Sequence, residues 1–267
     1  MSRHFTTANS AVAQTQLLAK GDYSVLLTAA GTGVSRWRDL DVSRWRADST
    51  CDAWGSFLLL RDADSGALHS ATWQPLASNP DTYAVDFAAG SAHFERRDGE
   101  LSCYMHVAIS AHGDGELRQL TLTNHGDTTR TLDVASYAEL VLAPRHNDAS
   151  HPAFSKMFVQ TALEDGGATL LGWRRQRDDA SRQPWAAHLC TIDGGQAIAS
   201  GFETDRVRFF GRGRDLRDPA LFDADTPLQG QVGTVLDPIF SLTRRVAIEP
   251  GASITLNFWT VVAPSRD

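Results

Sequence analysis

Apolar side chains recur at every second position through much of this chain, and this alternation constrains the fold more than any other feature. Within residues Leu101–Ile109, the residues Leu, Cys, Met, Val and Ile occupy the odd positions, and polar side chains such as Tyr104 lie between them. Residues 132–140 and 254–262 repeat the pattern. Because a period of two places alternate side chains on opposite faces of a strand, the pattern predicts β-strands with one buried and one hydrated face.

Turn sequences separate more than ten such runs, at the spacing of about 8 to 12 residues that is typical of sandwiches and barrels. In residues 116–140, two alternating runs flank the turn sequence NHGD at 124–127, which predicts an antiparallel pair of strands. Strands do not alternate regularly with long helices. We therefore predict an all-β fold, a large antiparallel β-sandwich with few or no long helices. Residues 174–184 and 211–227 are polar and are predicted to be long loops.

The composition and net charge of the chain restrict the kinds of protein that it can be. With 267 residues, of which 42% are hydrophobic, the chain can bury a sizeable core. The longest apolar runs fall short of the ~18 to 20 residues that cross a bilayer. A net charge of -7 argues against nucleic acid as a partner.

The compartment is predicted from the N-terminus and the cysteines. The first residues, MSRHFTTANS, contain no apolar run of the kind found in secretory signals. Cys51, Cys103 and Cys190 are widely spaced, form no C-x-x-C pair and are expected to be core residues. We expect a reducing, cytoplasmic setting.

The most unusual local feature is the segment SRWRDLDVSRWR at residues 35–46, in which S-R-W-R occurs twice, eight residues apart. In one extended strand the two Trp residues would share a face, whereas a turn between the copies would let them converge. Indole rings pack on the C–H faces of sugars, and Arg and Asp pair with sugar hydroxyls. The alternative is that both Trp residues fill the sandwich core, as we predict for Trp259. The candidate carbohydrate-binding residues are Arg36, Trp37, Arg38, Asp39, Arg44 and Trp45.

Other chemical motifs are weak. His146, Asp148 and His151 match no metal motif and are interpreted as polar loop residues. Carboxylate pairs such as Asp39 with Asp52 have no distinguishing context. We predict no catalytic residue, no metal ligand and no cofactor within this chain.

Several longer segments carry a family resemblance from about Gln16 onward. The chain resembles the N-terminal sandwich of glycoside hydrolase family 94, formerly glycosyltransferase family 36, and is most similar to the copies in cyclic β-1,2-glucan synthases. The segments that carry the resemblance are residues 17–46, 54–62, 120–144, 151–161, 203–219, 236–246 and 258–266.

The resemblance implies a β-supersandwich domain over residues 16–267, preceded by an N-terminal extension at 1–15. In this family, helical linkers join the sandwich to an (α/α)6 barrel that carries the catalytic aspartate and the phosphate site. The chain stops about where that linker would begin. The implied function is a non-catalytic carbohydrate-binding or structural domain of a phosphorylase-like or glycosyltransferase enzyme that acts on β-glucan. The implied parent enzyme is associated with the inner membrane.

The implied partners are a β-glucan oligosaccharide, the missing barrel domain and a second copy of the chain in a homodimer. We expect residues 31–46 to lie at the rim that faces the barrel and to help hold glucan. Two alternatives remain open. One is a free-standing carbohydrate-binding or scaffold protein, and the other is a stand-alone sandwich glycoside hydrolase, which needs two carboxylates about 5 to 9.5 Å apart in one cleft.

Overall fold

The structure is a computed structural model that describes residues 2–48, 50–176, 183–223 and 230–266. Strands dominate this part of the chain. In chain order they are β1 (Arg3–Phe5), β2 (Thr15–Lys20), β3 (Tyr23–Thr28), β4 (Gly33–Trp37), β5 (Leu40–Ser43), β6 (Phe57–Asp62), β7 (Leu68–Ser70), β8 (Thr82–Phe87), β9 (Ser91–Asp98), β10 (Leu101–Ile109), β11 (Gly115–Asn124), β12 (Arg130–Pro144), β13 (Val159–Glu164), β14 (Thr169–Arg174), β15 (Trp185–Asp193), β16 (Ala199–Asp205), β17 (Pro238–Ile248) and β18 (Ser253–Ala263).

Helical structure in the described residues is short. The α-helices are α1 (Arg145–Ser150), α2 (Pro152–Lys156) and α3 (Arg206–Phe210), with 3-10 turns at Asp165–Gly167 and Ala220–Phe222. None of the described helices has the length and apolar character needed to cross a membrane.

The strands form two antiparallel sheets. The first has the strand order β1-β8-β9-β10-β11-β18-β15-β14-β13. The N-terminal strand β1 forms one edge of this sheet and pairs with β8. The second runs β16-β17-β12-β5-β4-β3-β2, with β6 also paired to β12 and β7 to β6. One hydrophobic core contains inward-facing side chains from both sheets. The predicted all-β antiparallel sandwich is confirmed.

The alternation of the sequence sets which faces are buried. In β10, Leu101, Cys103, Met105 and Val107 are buried, and Tyr104 on the other face is exposed. In β18, the predicted positions Ile254, Leu256, Phe258 and Val262 are buried, whereas Thr260 is half-buried. Each large apolar side chain that leaves water in such a strand contributes about 1.5 to 3 kcal/mol.

Two core predictions were wrong. Trp259 is only half-buried, and its cross-strand neighbours Leu117 and Leu189 are half-buried as well, because all three lie on the outer face of the first sheet. Cys51 is exposed, whereas Cys103 is buried and Cys190 is intermediate.

Strand β12 was predicted to have one buried and one hydrated face, but both of its faces are buried. Its residues from Leu132 to Tyr137 are all buried, because its outer face is covered by α3 and by the turn at residues 220–222. This covering creates a second apolar cluster that includes Phe57, Tyr137, Phe209 and Phe210. The second sheet is therefore buried on both faces around its central strand.

The predicted hairpin around residues 124–127 was also wrong. Both strands exist, but β11 pairs with β10 and β18, while β12 pairs with β17, β6 and β5. The chain crosses from one sheet to the other at this point. Each of the two strands buries alternate residues in the same core. The sequence pattern is therefore the same whether the strands pair as a hairpin or lie in different sheets.

The predicted loops agree with the structure where it describes them, except that Arg174 is the last residue of β14. The first lies between β14 and β15, and its residues 177–182 are outside the described part. The second contains only the 3-10 turn in its described residues, and its residues 224–227 are outside that part.

The buried side chain of Asn124 holds the crossing between the sheets. Its Nδ2 donates to the carbonyls of Thr128 at 2.8 Å and Ile248 at 2.9 Å, and its Oδ1 accepts from the amide of Gly126 at 3.0 Å. We predict that Asn124→Ala lowers the free energy of unfolding by about 2 to 3 kcal/mol, because buried backbone groups lose their partners. Urea unfolding measures the loss, with Asn147→Ala on an exposed helix position as the control. Equal stability of the two variants would contradict this role.

Candidate functional site

The segment that repeats S-R-W-R folds as a hairpin. Strands β4 and β5 pair Arg36 with Asp41 and Trp37 with Leu40, and Arg38 takes a φ of 55° in the turn between them. Trp37 is 1% exposed in the core, where its Nε1 donates to Asp114 at 2.7 Å. Trp45 follows β5 at the other end of the hairpin and is half-buried. The two indoles therefore do not converge on one site.

Three other predicted residues lie at the turn end of this hairpin. Arg36 Nε lies 3.0 Å from the buried carboxylate of Asp41, which also accepts from Arg145 at 3.0 Å. Arg38 donates to Asp22 at 2.8 Å, and its guanidinium carbon lies 4.4 Å from the centre of the Trp37 ring. Arg38 and Asp39 are exposed.

Of the six residues predicted to bind carbohydrate, Arg44 at the far end of the hairpin is the one that lies in a buried cluster of charged side chains. Its side chain is 3% exposed. Its Nε and Nη2 donate to the two carboxylate oxygens of Asp148, both at 3.0 Å, and its Nη1 donates to Glu139. The backbone amide of Arg44 also donates to the Glu139 carbonyl at 3.0 Å, which ties the end of β5 to β12.

Asp148 corrects the interpretation of residues 146–151 as a polar loop. Residues 146–150 belong to α1, and His151 joins α1 to α2; α1 places the Asp148 carboxylate in the protein interior against Arg44. In the parts of the chain that the structure describes, no group of three or more His, Cys, Asp or Glu side chains is arranged to hold a metal ion.

Further charges extend the pairing around Arg44. Arg46 lies 2.8 Å from Asp148, and Arg206 lies 3.0 Å from Glu139. Asp237 lies 3.6 Å from Arg44 and also pairs with Arg206 at 3.2 Å and with Lys156 at 2.7 Å. We call this group the Arg44 network; it consists of Arg44, Arg46, Lys156, Arg206, Glu139, Asp148 and Asp237.

Burial and pairing oppose each other within this network. Burial lowers the pKa of Arg44, but the hydrogen bond to Asp148 and the charge of Glu139 outweigh it, so the net shift is upward. Burial raises the pKa of Asp148, but the hydrogen bond from Arg44 and the charges of Arg44, Arg46 and Lys156 together outweigh it, so its pKa falls. Each group therefore keeps its charge because of its partner.

A cavity of about 430 Å³ opens beside the Arg44 network, on the outer face of the second sheet. We call it the central cavity. Arg44, Tyr137 and Glu139 form its base, and α3 contributes Arg206 and Phe210. The segments 51–55, 74–77 and 215–217 form its walls. A volume of this size falls within the range of small-molecule sites.

The lining of the central cavity combines aromatic rings with fixed polar groups. Trp54, Tyr137 and Phe210 supply ring surface, and the Tyr137 hydroxyl donates to Glu139 at 2.9 Å. Burial, followed by the charge of Glu139, raises the pKa of Tyr137 well above its usual value, so this hydroxyl stays protonated. Rings beside directed hydrogen-bonding groups suit the C–H faces and hydroxyls of a sugar.

Sequence reasoning missed most of this cavity. Tyr137 and Glu139 lie two residues apart on one face of β12, and a Glu within the run SYAELVLAP was the available signal. Trp54 stands in no motif that distinguishes it from the other Trp residues of the sequence. The wall at 215–217 belongs to a predicted loop, and its position depends on tertiary packing that no local pattern encodes.

A buried Ser–His pair elsewhere has the spacing of a nucleophile and a base. Ser136 Oγ and His188 Nε2 are 2.8 Å apart, and His188 Nδ1 lies 3.0 Å from Thr260 Oγ1. The ring of His188 stacks on Phe240 and Phe258 between the sheets, and it is 6% exposed. These contacts place the pair inside the core, where it connects the two sheets.

Comparison with known proteins identifies relatives of the whole chain. The family described as glycosyl hydrolase 94, supersandwich domain, matches residues 1–267, which confirms the resemblance seen in the sequence. Cyclic beta-(1,2)-glucan synthase NdvB of Rhizobium meliloti strain 1021 is 39% identical over 254 residues, which cover 95% of this chain and 9% of that protein. N,N'-diacetylchitobiose phosphorylase of Vibrio proteolyticus is 23% identical over 220 residues, which cover 80% of this chain and 26% of that protein.

Among solved structures, a galactose mutarotase-like protein from Clostridium acetobutylicum is 6% identical, with 98% of each chain covered and a TM-score of 0.47. The chain spans 9% of the length of the synthase and 26% of that of the phosphorylase, so most of each curated relative lies outside the aligned region.

Replacement of the buried Arg44 side chain by an uncharged one should destabilise the domain. We predict that Arg44→Met lowers the free energy of unfolding by about 3 to 5 kcal/mol, because it leaves the buried Glu139 and Asp148 carboxylates without their main partner. The control is Arg266→Gln, which breaks an exposed pair with Glu164 and should cost no more than about 1 kcal/mol. Denaturant unfolding compares the two, and a similar cost for both variants would contradict the role of Arg44.

The buried imidazole of His188 should make the stability of the domain depend on pH. Burial lowers the pKa of His188 to about 4, below the value of about 6.5 in the unfolded chain. As pH falls from about 6.5 to about 4, the unfolded chain gains a proton there that the folded chain does not, so stability falls by about 3 kcal/mol.

Urea unfolding of the wild type and His188→Gln across this pH range isolates the effect. The stability advantage of the wild type should shrink by about 3 kcal/mol between pH 7 and pH 4, since the variant has no imidazole to protonate. A pH-independent difference would contradict the buried neutral state.

Proposed function

We propose, because the chain belongs to the glycosyl hydrolase 94 supersandwich family, that it is a non-catalytic carbohydrate-binding domain of an enzyme that acts on β-glucan. The observation that carries the proposal is the central cavity. It places Trp54, Tyr137 and Phe210 beside paired Arg and carboxylate groups on the outer face of the second sheet. We assign the sugar-binding role to this cavity, and of the six residues predicted from the sequence Arg44 lines it.

The contacts of two carboxylates in the cavity, those of Glu139 and Asp215, support binding rather than catalysis. Glu139 accepts from Tyr137 and Arg44 and pairs with Arg206, so both of its oxygens have partners. The hydrogen bond from Arg217 lowers the pKa of Asp215. A general acid for glycoside cleavage needs a raised pKa, and the contact with Arg217 shifts that of Asp215 in the opposite direction.

We propose a β-1,2-linked glucan as the ligand and a cyclic β-1,2-glucan synthase as the parent enzyme. The support is the 39% identity to a protein named for that activity. In such an enzyme a separate helical barrel would supply the catalytic residues, and this domain would hold the glucan and contact the barrel.

Calorimetric titration with β-1,2-gluco-oligosaccharides tests the proposal. We expect binding, and we expect Trp54→Ala to weaken it roughly tenfold through loss of one stacking surface. The matched control is Trp259→Ala, a substitution on the outer face of the first sheet that should leave affinity unchanged. Absence of heat at millimolar ligand, or equal weakening by both substitutions, would refute the assignment of the cavity.

The non-catalytic part of the proposal has its own test. The purified chain should show no hydrolysis of β-glucans and no phosphorolysis when phosphate is added. Turnover above that of a matched blank, abolished by Glu139→Gln, would establish a stand-alone glycosidase instead.

A further inference from the structure

The central cavity has a neighbour on each side. A second cavity of about 280 Å³ lies against the N-terminal segment, and its lining includes Asn9, Gln14 and Thr50; we call it the N-terminal cavity. A third, of about 460 Å³, includes Arg61, Arg214 and Asp223 in its lining; we call it the arginine cavity. Each is comparable in size to the central cavity or somewhat smaller.

Shared walls fix the order of the three cavities. Cys51 and Asp52 line both the N-terminal and the central cavity. Arg217 lines both the central and the arginine cavity. The two outer cavities have no lining residue in common, so the central cavity lies between them.

The chemistry of the outer cavities complements that of the central one. The N-terminal cavity offers amide, hydroxyl and carboxylate groups from Asn9, Gln14, Thr50 and Asp52. The arginine cavity offers guanidinium groups, and Arg214 there is held by Asp223 at 2.6 Å. A row of hydrogen-bonding groups on both sides of an aromatic centre suits a long neutral polyhydroxylated chain better than a single sugar.

We propose that the three cavities form one groove that binds a linear glucan oligosaccharide, which crosses the wall at Cys51 and Asp52. This inference rests on the proposed carbohydrate function and adds to it that the ligand is an extended chain with separate binding positions along it. The groove is formed by residues of this domain alone, and its central part lies on the outer side of the second sheet.

Cys51 provides a built-in reporter at the wall between two cavities. Its side chain is exposed, whereas burial raises the pKa of both Cys103 and Cys190 to about 12. Because the thiolate is the reactive form, iodoacetamide should label Cys51 in the folded chain far faster than the other two cysteines. Cys51→Ser is the control for this selectivity and should remove the fast labelling.

The experiment compares a β-1,2-linked glucose disaccharide with a longer β-1,2-glucan oligomer on the intact chain. We expect the oligomer to bind at least tenfold more tightly by calorimetry and to slow labelling of Cys51 at least tenfold at saturation. The disaccharide, placed in the central cavity, covers only one side of the wall at Cys51, so it should slow labelling several-fold less than the oligomer does.

A variant of the N-terminal cavity separates groove binding from binding at one position. Asn9→Ala, at an exposed residue, should weaken the oligomer several-fold and leave the disaccharide unaffected. Asn147→Ala, exposed on α1 and outside the groove, should change neither.

The outcomes distinguish this inference from the proposed function. Equal affinity of disaccharide and oligomer, or full labelling of Cys51 under saturating oligomer, would overturn the groove and leave the carbohydrate function in place. Failure of both ligands to bind would overturn the proposed function and the groove with it.

Discussion

The buried charge of Arg44 has to be neutralised inside the protein, and the candidate site is organised around that requirement. An unpaired guanidinium at this depth would be prohibitively unfavourable, so Glu139 from β12 and Asp148 from α1 must both reach it. These contacts join the end of the β4–β5 hairpin, the central strand and the first helix. These contacts fix the base of the central cavity to the second sheet.

Strand β12 couples the core to the site because it is buried on both faces. Its inward side chains, including Leu132 and Val134, belong to the core between the sheets. Its outward side chains, including Tyr137, belong to the second apolar cluster or line the cavity. The same strand that gives the sandwich its stability thus positions the groups that would contact a sugar.

The alternation of the sequence was enough to predict strands such as β10 and β18, since burial of one face determines which side chains are apolar. It could not predict that β11 and β12 lie in different sheets, because partner choice depends on contacts distant in sequence. The repeated Arg-Trp motif drew attention to the correct hairpin, yet Trp37 packs in the core while Arg44 reaches the cavity. The two residues differ because they lie at opposite ends of the hairpin, and the sequence pattern does not show where each end lies in the folded protein.

The central claim is that glucan binds on the outer face of the second sheet. Hydrogen exchange of backbone amides with and without a β-1,2-glucan oligomer locates the bound ligand directly, because binding slows local opening where contacts form. The account predicts slowed exchange in segments 51–55, 74–77 and 215–217, with no change around Trp173 and Trp185 on the first sheet. Protection confined to that first sheet, with none along the three cavity walls, would contradict it.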